Sequence, residues 1–152
     1  MNTFTYIFLI ALALSYSVQF WLSRRQSAYV FKHRGQVPAA FTESITLEAH
    51  QKAADYTIAK GKLGDIDSVV GLIFLLLLTL GGGISLVFEF WAGFDLSEIM
   101  TGIASLGSVF FIMSIFELPT SLYLTFVIEE KFGFNKSTVG QFIKDQFLQL
   151  AL

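Results

Sequence analysis

Residues 99–136 read IMTGIASLGSVFFIMSIFELPTSLYLTFVIEEKFGFNK, and the fold turns on how this stretch is taken. Its first part, 99–128, carries a single charge, Glu117, with Pro119 two residues beyond. As a helix it would run about 45 Å, against a bilayer core about 30 Å thick. It is long enough to cross a membrane, kink and project past it. Proline has no N–H to donate and crowds the carbonyl four residues back, that of Ile115. A kink near Pro119 is therefore expected, with Glu117 inside it. A carboxylate in lipid costs roughly 3 kcal/mol on insertion scales, so Glu117 should face protein or a wet cavity. Thr101, Ser105 and Ser108 recur at helical spacing and offer a small, polar stripe to a neighbouring helix.

Past Ile128 the chain turns polar, through Glu129-Glu130-Lys131-Phe132-Gly133-Phe134-Asn135-Lys136. Adjacent residues on a helix point about 100° apart. Glu129 and Glu130 are therefore read as pairing with Lys131 or with loop arginines rather than sharing a proton. Phe132 to Asn135 reads as a tight turn before the next helix, with aromatic side chains expected to dock on a partner surface. Thr138-Val139-Gly140-Gln141 matches a capping box and should start another helix. Val139, Phe142, Ile143, Phe147 and Leu150 keep helical spacing behind it. Only seven residues follow Asp145, too few to complete a span, so the chain is expected to stop at the start of a fourth membrane helix.

On the other side of the central stretch, the short loop 92–98 carries Asp95 and Glu98 but no lysine or arginine. Residues 68–88 are uncharged, and a second span is expected over 69–91. Gly81-Gly82-Gly83 interrupts it. Membrane helices use glycine for close backbone approach, and the triplet is read as a packing notch rather than a hinge. Residues 24–67 are the one long hydrophilic segment and hold seven of the ten basic residues: Arg24, Arg25, Lys32, Arg34, Lys52, Lys60 and Lys62. Within it Thr46 caps an expected helix with Glu48 in its first turn and a stop at Lys60-Gly61. Leu47, Ala54 and Ile58 give that helix only a weak apolar face, and Pro38 separates it from whatever extends the first span. That first span is expected over 4–22, since residues 1–23 carry no charge. A secretory signal peptide would need a basic region before the apolar run, and none is present, so a retained helix is expected. Phe20-Trp21 followed by Arg24-Arg25 reads as an interfacial aromatic and basic anchor.

The composition agrees: 54% of the 152 residues are hydrophobic and 14% charged, where a soluble domain carries about a quarter charged. Charges are segregated between apolar runs, which is a membrane pattern. No basic, aromatic-interleaved surface suits nucleic acid, and without cysteine there is no disulfide. The basic residues of 24–67 and of 129–145 place both cytoplasmic, with the N-terminus and loop 92–98 outside. The expected fold class is therefore all-α integral membrane. It comprises three transmembrane helices (4–22, 69–91, 99–128), the start of a fourth, and a partly helical cytoplasmic loop at about 24–67.

Little in the chain carries chemistry. The two histidines, His33 and His50, are seventeen residues apart. A zincin site needs two histidines four apart on one helix face with a glutamate beside the first. His33 and His50 are read as solvated loop residues. No nucleophile elbow, P-loop or dinucleotide fingerprint is present, and Met100 and Met113 read as apolar packing.

One run is more specific. Glu117-Leu118-Pro119, then Tyr123 through Thr138, with Phe142 and Asp145 beyond, closely resembles the N-terminal membrane domain of the CAAX prenyl protease 1 family of integral-membrane zinc metalloendopeptidases. The loop residues Arg25-Gln26, His33-Arg34, Val37-Pro38, Phe41 and His50 to Tyr56 look like its bacterial branch, which implies a bacterial inner membrane. The resemblance implies helices enclosing a water-filled chamber, closed on the cytoplasmic side by a metalloprotease portion. There zinc, held by the histidines of an H-E-x-x-H motif and a downstream glutamate, directs water at a peptide bond. None of those positions lies in these 152 residues. Residues 1–152 are accordingly expected to be the N-terminal transmembrane domain of a larger protease, lacking its catalytic portion. No catalytic residue, metal ligand or cofactor is assigned to this chain, and zinc belongs to the parent protein. The implied partners are the lipid bilayer, the C-terminal metalloprotease portion and, in the parent, a peptide substrate. The implied chamber and docking residues are Glu117, Pro119, Tyr123, Glu129, Glu130, Phe134, Asn135 and Lys136. For Glu117 a buried, hydrogen-bonded place at the kink stands as the other reading. The alternative for the whole chain is a free-standing membrane scaffold or adaptor. A transporter or channel fragment fits less well, with one intramembrane ionisable residue and no repeat.

Overall fold

The computed structural model describes residues 2–151, with side chains through residue 148. Five α-helices follow one another: α1 (Thr3–His33), α2 (Leu47–Thr79), α3 (Gly83–Ala92), α4 (Glu98–Tyr123) and α5 (Val139–Ala151). A 3₁₀ turn, Ala39–Phe41, lies between α1 and α2, and a π-helical turn, Leu124–Glu129, continues α4. The described residues contain no strand. The chain divides into two compact units, residues 1–68 and 69–152, with α2 running through the division.

In the first unit, Asn2 starts α1 by accepting the backbone N–H of Thr5 on its side-chain oxygen at 2.9 Å. The helix then runs well past residue 22, the expected end of the span, to His33. Nothing in Arg24–Lys32 breaks a helix, and Lys32 and His33 in the last turn favour its negative end. Thr46 caps α2 as expected, its hydroxyl accepting from Ala49 N–H at 3.2 Å. The expected stop at Lys60-Gly61 does not occur, and α2 continues through both Gly61 and Gly64 to Thr79. Glycine favours a helix stop chiefly by turning into the left-handed region, and neither Gly61 nor Gly64 does so. Gly61 has a different use: a Cβ there would come within 3.4 Å of the Ser27 hydroxyl of α1. Of the weak apolar face, Ala54 is buried, whereas Leu47 is exposed. The segment expected as a loop over 24–67 is thus largely helix: the end of α1, a short link and the first half of α2.

In the second unit the expected span over 69–91 is broken. α2 ends at Thr79, α3 starts at Gly83, and the two are bent by 52°. The notch reading of the glycine triplet gives way to a break. Gly82 sits at φ 79°, and a Cβ at Gly81 would lie 2.6 Å from the Leu77 carbonyl oxygen. Neither position takes a side chain without strain or displacement. α3 packs on α4, and there the expected polar stripe is found. Thr101 and Ser105 are buried, and Ser108 accepts the Trp91 indole N–H at 2.8 Å. Between α2 and α4, Phe74 and Phe116 lie with tilted rings, their centres 4.4 Å apart. α4 stays helical through Pro119, and the departure from α geometry falls just beyond, at Leu124–Glu129.

Buried apolar side chains are few: Ala54, Leu78 and Ile128 among the described residues. A soluble chain of this length buries about two thirds of its surface. Here α1 buries no residue at all. Such apolar exposure needs lipid or other helices to cover it. By length and composition α1 and the α4–π rod are each able to cross a bilayer, and the bent α2–α3 pair makes a third span if it counts as one.

Candidate functional site

The polar corner after the long rod is cross-braced by local hydrogen bonds. The Glu129 carbonyl accepts two N–H groups, from Phe134 at 2.8 Å and Asn135 at 3.2 Å. The Glu130 carbonyl accepts from Gly133 at 2.9 Å. Gly133 holds φ 65°, the left-handed cap that lets the chain leave a helix and fold back over its last carbonyls. Asn135 then ties both sides together. Its amide donates to the Glu130 carboxylate at 3.0 Å, and its side-chain oxygen accepts from Ser137 N–H at 2.8 Å. Glu130 therefore engages Asn135, where pairing with Lys131 or loop arginines is expected from sequence, and the Lys131 ammonium lies over the Phe132 ring.

Immediately after, the capping box closes as the sequence predicts. Thr138 N–H donates to the Gln141 side-chain oxygen at 3.0 Å, and Gln141 N–H donates back to the Thr138 hydroxyl at 3.3 Å. Phe142 of the new helix meets Phe126 of the π turn edge to face, 5.6 Å between centres. Leu150, also expected on the apolar face of this helix, lies outside the described side chains. The result is a stiff corner that leaves Phe134 and Lys136 facing outward.

The residues singled out from sequence thus fall into two sets. Glu129, Glu130, Phe134, Asn135 and Lys136 are gathered in the corner. Glu117, Pro119 and Tyr123 are strung along α4, with Glu117 about 18 Å from Glu129 at helical rise. Glu117 is exposed and has no hydrogen bond or ion pair among the described residues. At 100° per residue it lies on the side of α4 opposite Ser108 and the α3 contact.

Two features escaped the sequence. Arg34, just past α1, makes a bidentate pair with Asp55 on α2, at 2.6 and 2.7 Å. The hydrogen bond and the charge of Asp55 raise the already high pKa of the guanidinium, although more than a third of each side chain stays accessible. Beside it the two histidines, far apart in sequence, share a groove of about 520 Å³ with Tyr29 and Thr57. His50 Nε2 contacts the His33 carbonyl at 3.1 Å, and His33 Nδ1 contacts the Tyr29 carbonyl at 2.8 Å. No spacing rule signals either, because both depend on α1 and α2 lying side by side. Each imidazole is committed to a backbone oxygen through one nitrogen. Among the described residues no three His, Cys, Asp or Glu side chains converge as metal donors. The described residues therefore offer zinc no such set of ligands. In the second unit a separate apolar groove of about 660 Å³ runs between α3 and α4, past Phe90, Gly107 and Phe111.

Comparison with known proteins agrees with this architecture. A family described as CAAX prenyl protease N-terminal, five membrane helices, matches residues 26–152. A probable CAAX prenyl protease 1 of Schizosaccharomyces pombe is 31% identical over 150 residues, covering 90% of this chain. The human CAAX prenyl protease 1 homolog is 32% identical over 149 residues, covering 91% of it. In both cases the chain spans 31% of the length of the relative. The crystal structure of S. mikatae Ste24p superposes with a TM-score of 0.87 at 24% identity, over 99% of this chain and 36% of that one.

Proposed function

This chain belongs to the CAAX prenyl protease N-terminal family, and from that premise we propose that it walls a wet intramembrane chamber and presents a docking corner to a metalloprotease portion of the parent protein. The observation that carries the docking role is the corner at Glu129–Thr138. A turn so heavily cross-bonded, with an exposed phenylalanine and lysine at its tip, loses little entropy when a partner binds. Phe134 supplies the apolar contact, Lys136 the charge, and Asn135 holds both in place. Glu117 supports the chamber role: an exposed carboxylate on a bilayer-length rod is tolerated where that face meets water.

In this reading hydrolysis belongs to zinc in the parent protein, and this chain shapes the space in which a peptide is held. The loop-charge asymmetry supports an N-terminus outside and residues 24–67 in the cytoplasm. A bacterial inner membrane is kept as the proposed location, the one that the sequence of 25–56 implies. The test is reconstitution. Co-expression of residues 1–152 with the C-terminal portion of a family member should restore chelator-sensitive peptide cleavage, and Phe134→Ala should weaken that rescue severalfold while the chain still inserts. Chelator-sensitive cleavage by residues 1–152 alone, or full rescue by Phe134→Ala, would overturn the assignment.

A further inference from the structure

Helix α1 carries two neighbouring cation–π pairs near the point where a bilayer would end. The Arg24 guanidinium lies 4.3 Å from the centre of the Phe20 ring, and that of Arg25 lies 5.4 Å from the Trp21 ring. Counting from Phe4, about 30 Å of helix is used up near Arg24. The residues before it are uncharged and mostly apolar, and in α1 none is buried by the protein. Side chains on a helix lean toward its N-terminus. At this C-terminal end of the span, the two arginines therefore reach back toward the hydrocarbon rather than out to water. The rings shelter their stems and one face of each guanidinium. Their N–H donors remain unused: neither arginine has a carboxylate or hydrogen-bond partner among the described residues. Each guanidinium presents several donors in a planar fork that matches a phosphate.

We propose that Phe20, Trp21, Arg24 and Arg25 form a phosphate-binding collar on α1 that holds the headgroups of anionic phospholipids. The rings hold the guanidiniums at the boundary between hydrocarbon and headgroups, and the forks draw phosphate oxygens down to them. The adjacent pairs point about 100° apart around the helix, so each engages its own lipid. A free phosphate offers the same oxyanion. Only a lipid places it level with the rings while its chains cover the apolar face of α1, and the collar is accordingly a lipid site.

The test uses the 152-residue chain in nanodiscs, in a Trp91→Phe background that leaves Trp21 as the sole indole. Energy transfer from Trp21 to dansyl-labelled phosphatidylglycerol should exceed that to dansyl-labelled phosphatidylcholine. Arg24→Gln with Arg25→Gln should abolish the preference, about fivefold for each arginine removed. Arg24→Lys with Arg25→Lys, which keeps charge without the fork, should retain only part of it. Excess inorganic phosphate should leave the preference unchanged. Native mass spectrometry on the otherwise wild-type chain should show fewer retained anionic lipids in the double glutamine variant, independent of the indole background. Equal transfer to both lipids, an unaltered preference in the glutamine variant, or loss of preference to free phosphate would each overturn the proposal.

Discussion

Glu117 and the Arg34–Asp55 pair show how differently two charged sites are accommodated in this chain. Glu117 has no partner among the described residues and sits on the exposed side of α4. If that side lines a wet chamber, Glu117→Gln in the full-length parent should leave insertion intact and lower peptide turnover severalfold by changing chamber polarity. Unchanged turnover would reduce Glu117 to a bystander. Arg34 is the opposite case, held in a two-bond fork with Asp55 across the α1–α2 link. Asp55→Asn should lower the melting temperature in detergent, and added salt should erode the wild-type advantage because the pair is partly exposed. A base whose pKa is raised on folding stabilises the fold at every pH below its ordinary value. It loses that contribution only as pH climbs past the raised one. On the arginine's account, then, wild-type melting should stay flat from neutral to mildly alkaline pH, and a fall in that window would point away from this ion pair.

At the scale of elements, the break between α2 and α3 depends on two glycines for two different reasons. Gly82 needs its left-handed backbone, and a Cβ added there meets nothing within 4 Å. Its replacement by alanine should cost about 1–2 kcal/mol, from conformation alone. At Gly81 the obstacle is the Leu77 carbonyl oxygen, 2.6 Å from an added Cβ, so Gly81→Ala forces the backbone apart. Thermal melts in detergent should rank Gly81→Ala below Gly82→Ala, with Gly82→Asn milder than either because asparagine tolerates that conformation. The reverse order would mean that the bend is not held as described. The start of α5 was predictable for the converse reason. Its capping box, Thr138 and Gln141, is a local device whose partners lie three residues apart, and it forms as the spacing says.

For the molecule as a whole, the proposed topology can be read on a background that already lacks cysteine. Leu96→Cys, chosen over Asp95 because Asp95 holds φ 51°, should label from outside the cell, and Lys52→Cys should not. Labelling at 52 but not 96 would invert the orientation. The membrane class, the long apolar run over 99–128, the polar stripe on α4 and the turn before α5 were all determined by sequence. Each depends on hydrophobic run length, helical period or contacts a few residues apart. The resemblance carried by residues 117–138 was legible for the same reason, since that corner is locally built. Tertiary structure decided what depends on residues distant in the chain. The helix running through Gly61, set against Ser27, is one such case, and the Arg34–Asp55 fork and the meeting of His33 with His50 are others. The break at Gly81–Gly83 belongs with them. Three glycines allow either a tight helix contact or a bend, and only the folded chain shows the bend, with Gly82 at φ 79°, α3 packed on α4 and Trp91 brought to Ser108.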